Sequence, residues 1–320
     1  MTGMTVAVVI PLFNKVEHIQ RCLRSVLAQT HAELDVVVVN DGSSDGSDRV
    51  VAAIGDPRVR LIQQTNAGVS AARNRGVAAT ACEWVFFLDA DDEWAPNLVE
   101  SLLALLQSQP EVGVLACPTQ RVYANGATST AQLVDTDFSP GSACLSDYFA
   151  SFVRLGQSPF SNSSFAVRRS IFEQVGGYKV GVRLTEDSDL WVRLALATPI
   201  AMIRQALARY HVEVTGNTRT VVQREEFEVV KTLKRVLDAG QVPPSQRRSA
   251  KALLGLQMLM LLKRQVLLRQ QRLALQGLTN PVLWRTVPLQ SAVTLVAALV
   301  PEWGVRLALW IKRQLKGSHR

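Results

Sequence analysis

The chain reads as an α/β protein with a mostly parallel sheet flanked by helices, followed by a basic helical extension at its C-terminus. Three observations carry that expectation. Over the first ~100 residues, short β-branched runs alternate with segments of helical periodicity, the pattern of strand-helix-strand units. The apolar runs are continuous rather than alternating, as in strands covered on both faces. Basic residues are concentrated late: from Gly240 onward there are 13 Lys and Arg against one acid, Glu302, leaving 22 basic and 26 acidic residues before it. The net charge of +8 therefore belongs to a mildly acidic body with a basic tail, not to a nucleic-acid-binding surface.

Each element follows from its local pattern. Residues 6–13 form an apolar run suited to a first buried strand. Ile19, Cys22, Leu23, Val26 and Leu27 then share one helical face. A second strand at 34–39 ends in Asn40-Asp41-Gly42-Ser43-Ser44-Asp45-Gly46, and a short helix at 48–54 leads to a strand at 59–63. A helix rich in small residues is expected at 70–80, a strand at 83–88, and a helix at 96–107 with Pro96 at its start. Between 113 and 160 the pattern weakens into turns at Asn125-Gly126 and Ser139-Pro140-Gly141. A strand at 164–167, a helix at 170–175 ending in Gly176-Gly177, and a helix over 183–197 with acids in its first turn complete the body. Beyond it come a charged helix at 224–239, the linker Gly240-Gln241-Val242-Pro243-Pro244, and one long apolar and basic helix over 249–276.

Composition bounds the function. With 48% hydrophobic and 19% charged residues, a sizeable core is expected and disorder is not. The four cysteines form no CxxC pair, which fits neither a zinc site nor a disulfide framework and suits a reducing compartment. Neither GxGxxG nor GxxxxGK[ST] occurs, which argues against dinucleotide dehydrogenases and P-loop NTPases. The stretch 1–10 lacks a basic flank and closes at Pro11, so it reads as a strand and not a signal peptide.

Ligands of parallel sheets bind beyond the carboxyl ends of the strands. Two acidic groups stand there: Asp41 after the second strand, and Asp89-Ala90-Asp91-Asp92 after Trp84-Val85-Phe86-Phe87-Leu88. Clustered carboxylates repel one another and favour a bound cation, and Mg²⁺ or Mn²⁺ accepts such oxygen ligands. Taken alone, the cluster reads equally as a solvated turn that caps the next helix. The Asp41 turn matches a calcium loop at Asp41, Asp45 and Gly46 but has Ala52 where a bidentate Glu is required. Asn66-Ala67-Gly68-Val69-Ser70-Ala71-Ala72-Arg73-Asn74 reads either as a phosphate-accepting helix entry or as a tight helix start with Arg73 on the surface.

Taken together, these segments resemble family 2 glycosyltransferases. The resemblance rests on Val9-Ile10-Pro11-Leu12-Phe13-Asn14, Asn40-Asp41-Gly42-Ser43, the Asn66–Asn74 block, Phe87-Leu88-Asp89-Ala90-Asp91-Asp92 and Glu186-Asp187-Ser188-Asp189-Leu190-Trp191, in the family's order. It implies a GT-A (Rossmann-like) catalytic domain over 1–220 and a C-terminal helical region over 221–320. It also implies roles. Pro11 and Phe13 would line a base pocket, with Phe13 stacked on a uracil-like ring and Asp41 accepting from its N–H. Gly68 and Arg73 would lie beside base or phosphates. Asp89 would reach ribose or metal, Asp91 would be the direct ligand of Mn²⁺ or Mg²⁺, and Asp92 a helix cap. Glu186-Asp187 would supply the catalytic base, Asp187 itself, and His211 would sit near the diphosphate as a further metal ligand.

The implied activity is inverting transfer of a sugar from a nucleotide sugar, UDP-linked, to a hydroxyl of a glycan or lipid-linked acceptor, as in polysaccharide biosynthesis. The rivals are a nucleotidyltransferase that makes nucleotide sugars and a non-catalytic sugar-nucleotide-binding module. Trp284, Trp303 and Trp310 with Arg306, Lys312, Arg313 and Lys316 suggest either an interfacial amphipathic tail or a bundle packed on the body. The first places a cytoplasmic enzyme on the inner face of the plasma membrane, against anionic lipid.

Overall fold

The structure, a computed structural model, describes residues 3–212, 226–268 and 270–299. Its centre is a seven-stranded sheet built from β1 (Val6–Leu12), β2 (Leu34–Asn40), β3 (Val59–Gln63), β4 (Trp84–Phe87), β6 (Val114–Ala116), β9 (Phe165–Arg168) and β10 (Ile200–Met202). The strand order is β10-β6-β9-β4-β1-β2-β3, parallel except that β9 runs antiparallel to both neighbours. A smaller sheet, β5-β11-β7-β8, joins β5 (Glu93–Trp94), β7 (Thr119–Tyr123), β8 (Thr128–Thr130) and β11 (Ala208–Val212).

Side chains of β1 alternate between the two faces. Val6, Val8, Ile10 and Leu12 pack with α1 (Ile19–Leu27), Val51 of α2 (Ser47–Ala52) and α4 (Leu98–Ala104). Ala7 and Val9 belong to the opposite core, with Val77 of α3 (Val69–Ala78) and the helices α5 (Tyr148–Leu155), α6 (Arg169–Gln174) and α7 (Glu186–Ala197). The same core continues without a break into α8 (Glu228–Asp238), α9 (Arg247–Leu267), α10 (Gln271–Leu278) and α11 (Pro281–Thr286), while α12 (Pro288–Leu299) packs on α9 and α10.

Two residues show how sequence sets this geometry. Pro11 sits in a central strand, where a missing N–H normally breaks a ladder. Here the pairing of β1 with β4 has ended at Val9 opposite Phe87, whereas Pro11 still lies opposite Val39 of β2. Since Leu12 O faces β2, accepting from Asp41 N, the absent N–H of Pro11 faces the side where β4 no longer pairs. Gly76 explains the small residues of α3: a Cβ there would stand 2.3 Å from Val9 Cγ1, so the helix lies directly on β1.

Several expected boundaries move. The helix expected over 183–197 begins only at Glu186, because Thr185 takes the left-handed conformation at φ 65. The single helix expected over 249–276 breaks into α9 and α10. Gln270 N turns back to Gln265 O, and α10 folds against α9 with Gly277 pressed on Leu262. Tertiary packing overrides helix propensity there. Residues 113–160, which gave little sequence signal, hold β6, β7, β8 and α5. Trp303, Arg306, Trp310, Lys312, Arg313 and Lys316 lie outside the described residues.

Candidate active site

At the carboxyl edge of β1 and β2, Phe13 is 47% exposed, while Pro11 is buried within its strand. Asp41 is buried and fully engaged. Its Oδ1 accepts from Gln64 Nε2 at 2.7 Å and Ala67 N at 2.8 Å, and its Oδ2 accepts from Gly68 N at 2.9 Å. This holds the entry of α3 against the end of β2, with Gly68 at φ 88, where a side chain would be strained. The turn is tied to β1 as well: Ser44 N donates to Asn14 Oδ1 at 2.9 Å and Asn14 N to Ser43 Oγ at 3.1 Å.

The acidic loop after β4 is pinned from beneath by Ser163. Asp89 N donates to Ser163 Oγ at 3.1 Å, Ser163 Oγ donates to Asp92 Oδ2 at 2.5 Å, and Trp94 Nε1 donates to Ser163 O at 2.6 Å. Asp92 is thus a buried pillar and not a helix cap; burial, and then the charge of Asp89, raise its carboxyl well above the usual range. Asp89 and Asp91 face outward from this support. Asp91 Oδ2 lies 2.5 Å from Lys15 Nζ, and Arg21 Nη2 donates to the Asp91 carbonyl at 2.5 Å. Asp89 Oδ1 accepts from Arg73 Nη2 at 2.7 Å.

Arg73 is not the surface residue that one reading of its block gave: it is buried between Asp89 and Glu186, with Nη1 3.5 Å from Glu186 Oε1 and the guanidinium 5.0 Å from the Tyr178 ring. Asn74, its neighbour on α3, fixes Tyr178 through its backbone, donating to Tyr178 O at 2.7 Å and accepting from Tyr178 N at 2.9 Å.

Glu186 and Asp187 open α7, where the helix dipole favours negative charge. Ser188 N donates to Asp187 Oδ1 at 2.5 Å. Burial and the adjacent Asp187 push Glu186 up to about 7, and burial likewise raises Asp187 against the opposing pull of the Ser188 amide and Arg73. Both carboxylates line a cavity of about 660 Å³ with Asp89, Trp191, Tyr210 and Met260. Buried polar atoms left without hydrogen bonds gather around it: Thr185 Oγ1, Trp191 Nε1, and Nε and Nη1 of Arg73.

The fold therefore links Asp89, Arg73 and Glu186, and places Asp187 in the same cavity. Pro11, Phe13, Asp41 and Gly68 stand apart at the neighbouring strand ends. The ring of His211 turns toward Glu93, 3.3 Å from its Oε1, and only its backbone N–H, 3.3 Å from Asp92 Oδ1, meets the acidic loop. Among the described residues no cluster of three or more His, Cys, Asp or Glu gathers as a metal site. Asp89 and Asp91 remain a hard-oxygen pair of the kind that holds Mg²⁺ or Mn²⁺ when substrate phosphates complete the shell. Ser163, Asn162 and Tyr178, the last donating to Asn162 Oδ1 at 2.7 Å, escaped sequence reasoning. The small polar run Ser161-Asn162-Ser163-Ser164 before β9 was the one signal for Ser163 and Asn162.

The family model of Glycosyl transferase family 2 matches residues 7–176. The chain belongs to that family. The match spans β1 to the end of α6 and stops before Glu186. The glycosyltransferase YibD of Escherichia coli (strain K12) is 40% identical over 101 residues, 31% of this chain and 29% of that one. The glycosyltransferase alr2836 of Nostoc sp. is 28% identical over 221 residues, 67% of this chain and 66% of that one. In both cases the match spans less than two thirds of the relative. Among solved structures, S. aureus TarS 1-349 in complex with UDP-GlcNAc aligns at TM-score 0.64 and 16% identity, covering 88% of this chain and 82% of that one. The mannosyltransferase PcManGT from Pyrobaculum calidifontis, in complex with GDP-Man and Mn²⁺, aligns at 0.59 and 20%, covering 92% and 85%. The expected GT-A fold, a mostly parallel sheet between helices, is borne out by these likenesses and by the sheet itself.

Proposed function

We propose that this chain is an inverting glycosyltransferase that moves a sugar from a UDP-sugar to a hydroxyl of a glycan or lipid-linked acceptor. One observation carries the reading: a single cavity is lined by Asp89, at the end of the strand beside the base-pocket motifs, and by the buried carboxylates Glu186 and Asp187. The neighbours bound to UDP-GlcNAc and to GDP-Man with Mn²⁺ support a nucleotide-sugar donor and a divalent ion. The nucleobase would stack on exposed Phe13, with Asp41 and Gly68 shaping its edge and Pro11 supporting the strand beneath. Asp91 and Asp89 would hold Mn²⁺ or Mg²⁺, which when bound supplies neutralisation of the charge growing on the leaving diphosphate. His211 would join them only after leaving Glu93.

Asp187 takes the proton of the acceptor hydroxyl as that oxygen attacks the anomeric carbon. Glu186 beside it keeps a site rich in negative charge, and Arg73 offsets it. Burial makes each carboxylate a stronger base than an exposed one, which suits proton abstraction near neutral pH. One displacement from the face opposite the diphosphate inverts the anomeric centre. Gln257, Met260 and Arg264, on one face of α9, line the same cavity and would border the acceptor.

The division into a catalytic domain over 1–220 and a helical region over 221–320 is part of this reading. So is attachment to the inner face of the plasma membrane, in service of polysaccharide assembly. Residues 240–299 carry eight basic side chains and no acid, and α12 exposes Leu289, Val293, Val296 and Leu299. No described helix is long and apolar enough to cross a membrane. The test is a panel of UDP-sugars with Mn²⁺: release of UDP is expected, whereas release of pyrophosphate on supplying UTP and a sugar phosphate would replace transfer with nucleotidyl transfer.

A further inference from the structure

Arg73 joins the two halves of the site, and its setting is unusual enough to ask what it does. A buried guanidinium has five N–H donors to satisfy, and leaving them unmet is costly. Here Nη2 donates to Asp89 at 2.7 Å, Nη1 faces Glu186 at 3.5 Å without a hydrogen bond, and Nε has none. Tyr178 closes the flat face of the group at 5.0 Å and is itself clamped by Asn74. Burial alone would favour loss of its proton, but the carboxylates of Asp89 and Glu186 outweigh burial and hold the charge. Were Arg73 a packing element alone, an aliphatic side chain of similar volume would fill the space without a buried charge to satisfy.

We propose that Arg73 is a positioning residue: one buried cation that spans from the donor-side carboxylate Asp89 to the acceptor-side pair Glu186-Asp187 and sets their separation and charge. It rests on the reading of Asp89 as donor-side and Asp187 as base. The span follows from the guanidinium fork, which reaches two carboxylates at once where an ammonium reaches one point. Among the described residues, the groups whose charge acts on Glu186 are Asp187 on α7, Arg73 on α3 and Asp89 after β4, with the Tyr178 hydroxyl near them; Arg121 and Arg264 also line the cavity. Arg73 is the cation among the groups acting on Glu186, so its removal leaves three carboxylates without it.

The experiment compares wild-type protein with Arg73→Lys and Arg73→Met, using whichever of UDP-glucose, UDP-galactose and UDP-N-acetylglucosamine the protein hydrolyses with Mn²⁺. Arg73→Met is expected to lower kcat at least 100-fold and to move the ascending limb of its pH profile to higher pH. Arg73→Lys is expected to keep the limb near its wild-type position and lose kcat about tenfold, since charge stays and the span goes. A role in packing alone would lower the unfolding temperature and the active fraction but leave the limb of the residual activity in place, and that result overturns the proposal. A carboxyl ¹³C titration of donor-free protein, with Glu186→Gln to assign the resonance, needs no turnover. Glu186 titrating at the same pH in wild type and Arg73→Met would overturn the proposal even if transfer itself were disproved.

Discussion

The proposed donor side of the site, at the ends of β1 and β2, and its proposed base end, in the cavity, are built on opposite plans. At the donor end Asp41 accepts three hydrogen bonds, Asn14 and Ser43 lock the neighbouring turn, and Asp92 is held by Ser163. At the base end Thr185 is strained, its hydroxyl has no partner, and Arg73 and Trp191 keep unmet N–H groups. Strained and orphaned groups persist where the surrounding structure holds them for a ligand. The difference suggests that the donor end is complete before substrate arrives, while the base end is completed by it.

The sharpest way to break this contrast is Asp187→Asn. It keeps the shape of the base end and removes its ability to take a proton. Turnover is expected to fall about a thousandfold, while Mn²⁺-dependent UDP affinity, measured calorimetrically, stays within a few-fold of wild type. Equal losses in both would merge the two ends into one unit. Next in size, Asp91→Asn should weaken UDP binding in the presence of Mn²⁺ by roughly a hundredfold, and the loss should vanish in EDTA.

Turnover as a function of pH tests the base end alone. Glu186 is raised to about 7 by burial and Asp187, and Asp187 is raised by burial. A group with a raised pKa is protonated, and useless as a base, until pH climbs past that value. The rate is therefore expected to rise with pH as the buried Glu186–Asp187 pair loses its protons, and a rate that falls with pH over that range contradicts the assignment. A smaller effect is expected of Asp41→Asn. The amide offers one acceptor oxygen for three donors, so stability should drop by about 1–3 kcal/mol, with UDP affinity falling and the pH profile unmoved. Smallest, Thr185→Gly relieves the left-handed strain. It should raise stability by about 1 kcal/mol as read by denaturant unfolding, and lower turnover by loosening Glu186 and Asp187.

The same contrast governs what could be read from the chain. The donor end is assembled from short local blocks, so Pro11, Phe13, Asp41, Gly68 and the acidic loop after β4 were legible, as were β1 through α4 to within a few residues. The base end is assembled across distance. Arg73 reads from its block equally as a phosphate-side or a surface residue on α3, and its burial appears only when Asp89, Glu186 and Tyr178 close over it from three other segments. Asp92 looked like a cap because its partner Ser163 lies 71 positions away. α10 folds back on α9 with Gly277 against Leu262, a contact that helix periodicity does not encode. Weak patterning over 113–160 hid α5, whose Phe149 and Phe152 pack into the core beneath the cavity's helices.

The most direct test of the account is the stereochemistry of its first product. A donor with an α-linked sugar, UDP-glucose if it is accepted, is hydrolysed by the enzyme with Mn²⁺ and followed by ¹H NMR before mutarotation mixes the anomers. Attack opposite the diphosphate, with Asp187 taking the nucleophile's proton, predicts the β-anomer as the first sugar seen. Appearance of the α-anomer first would contradict single displacement and remove Asp187 from the role assigned to it.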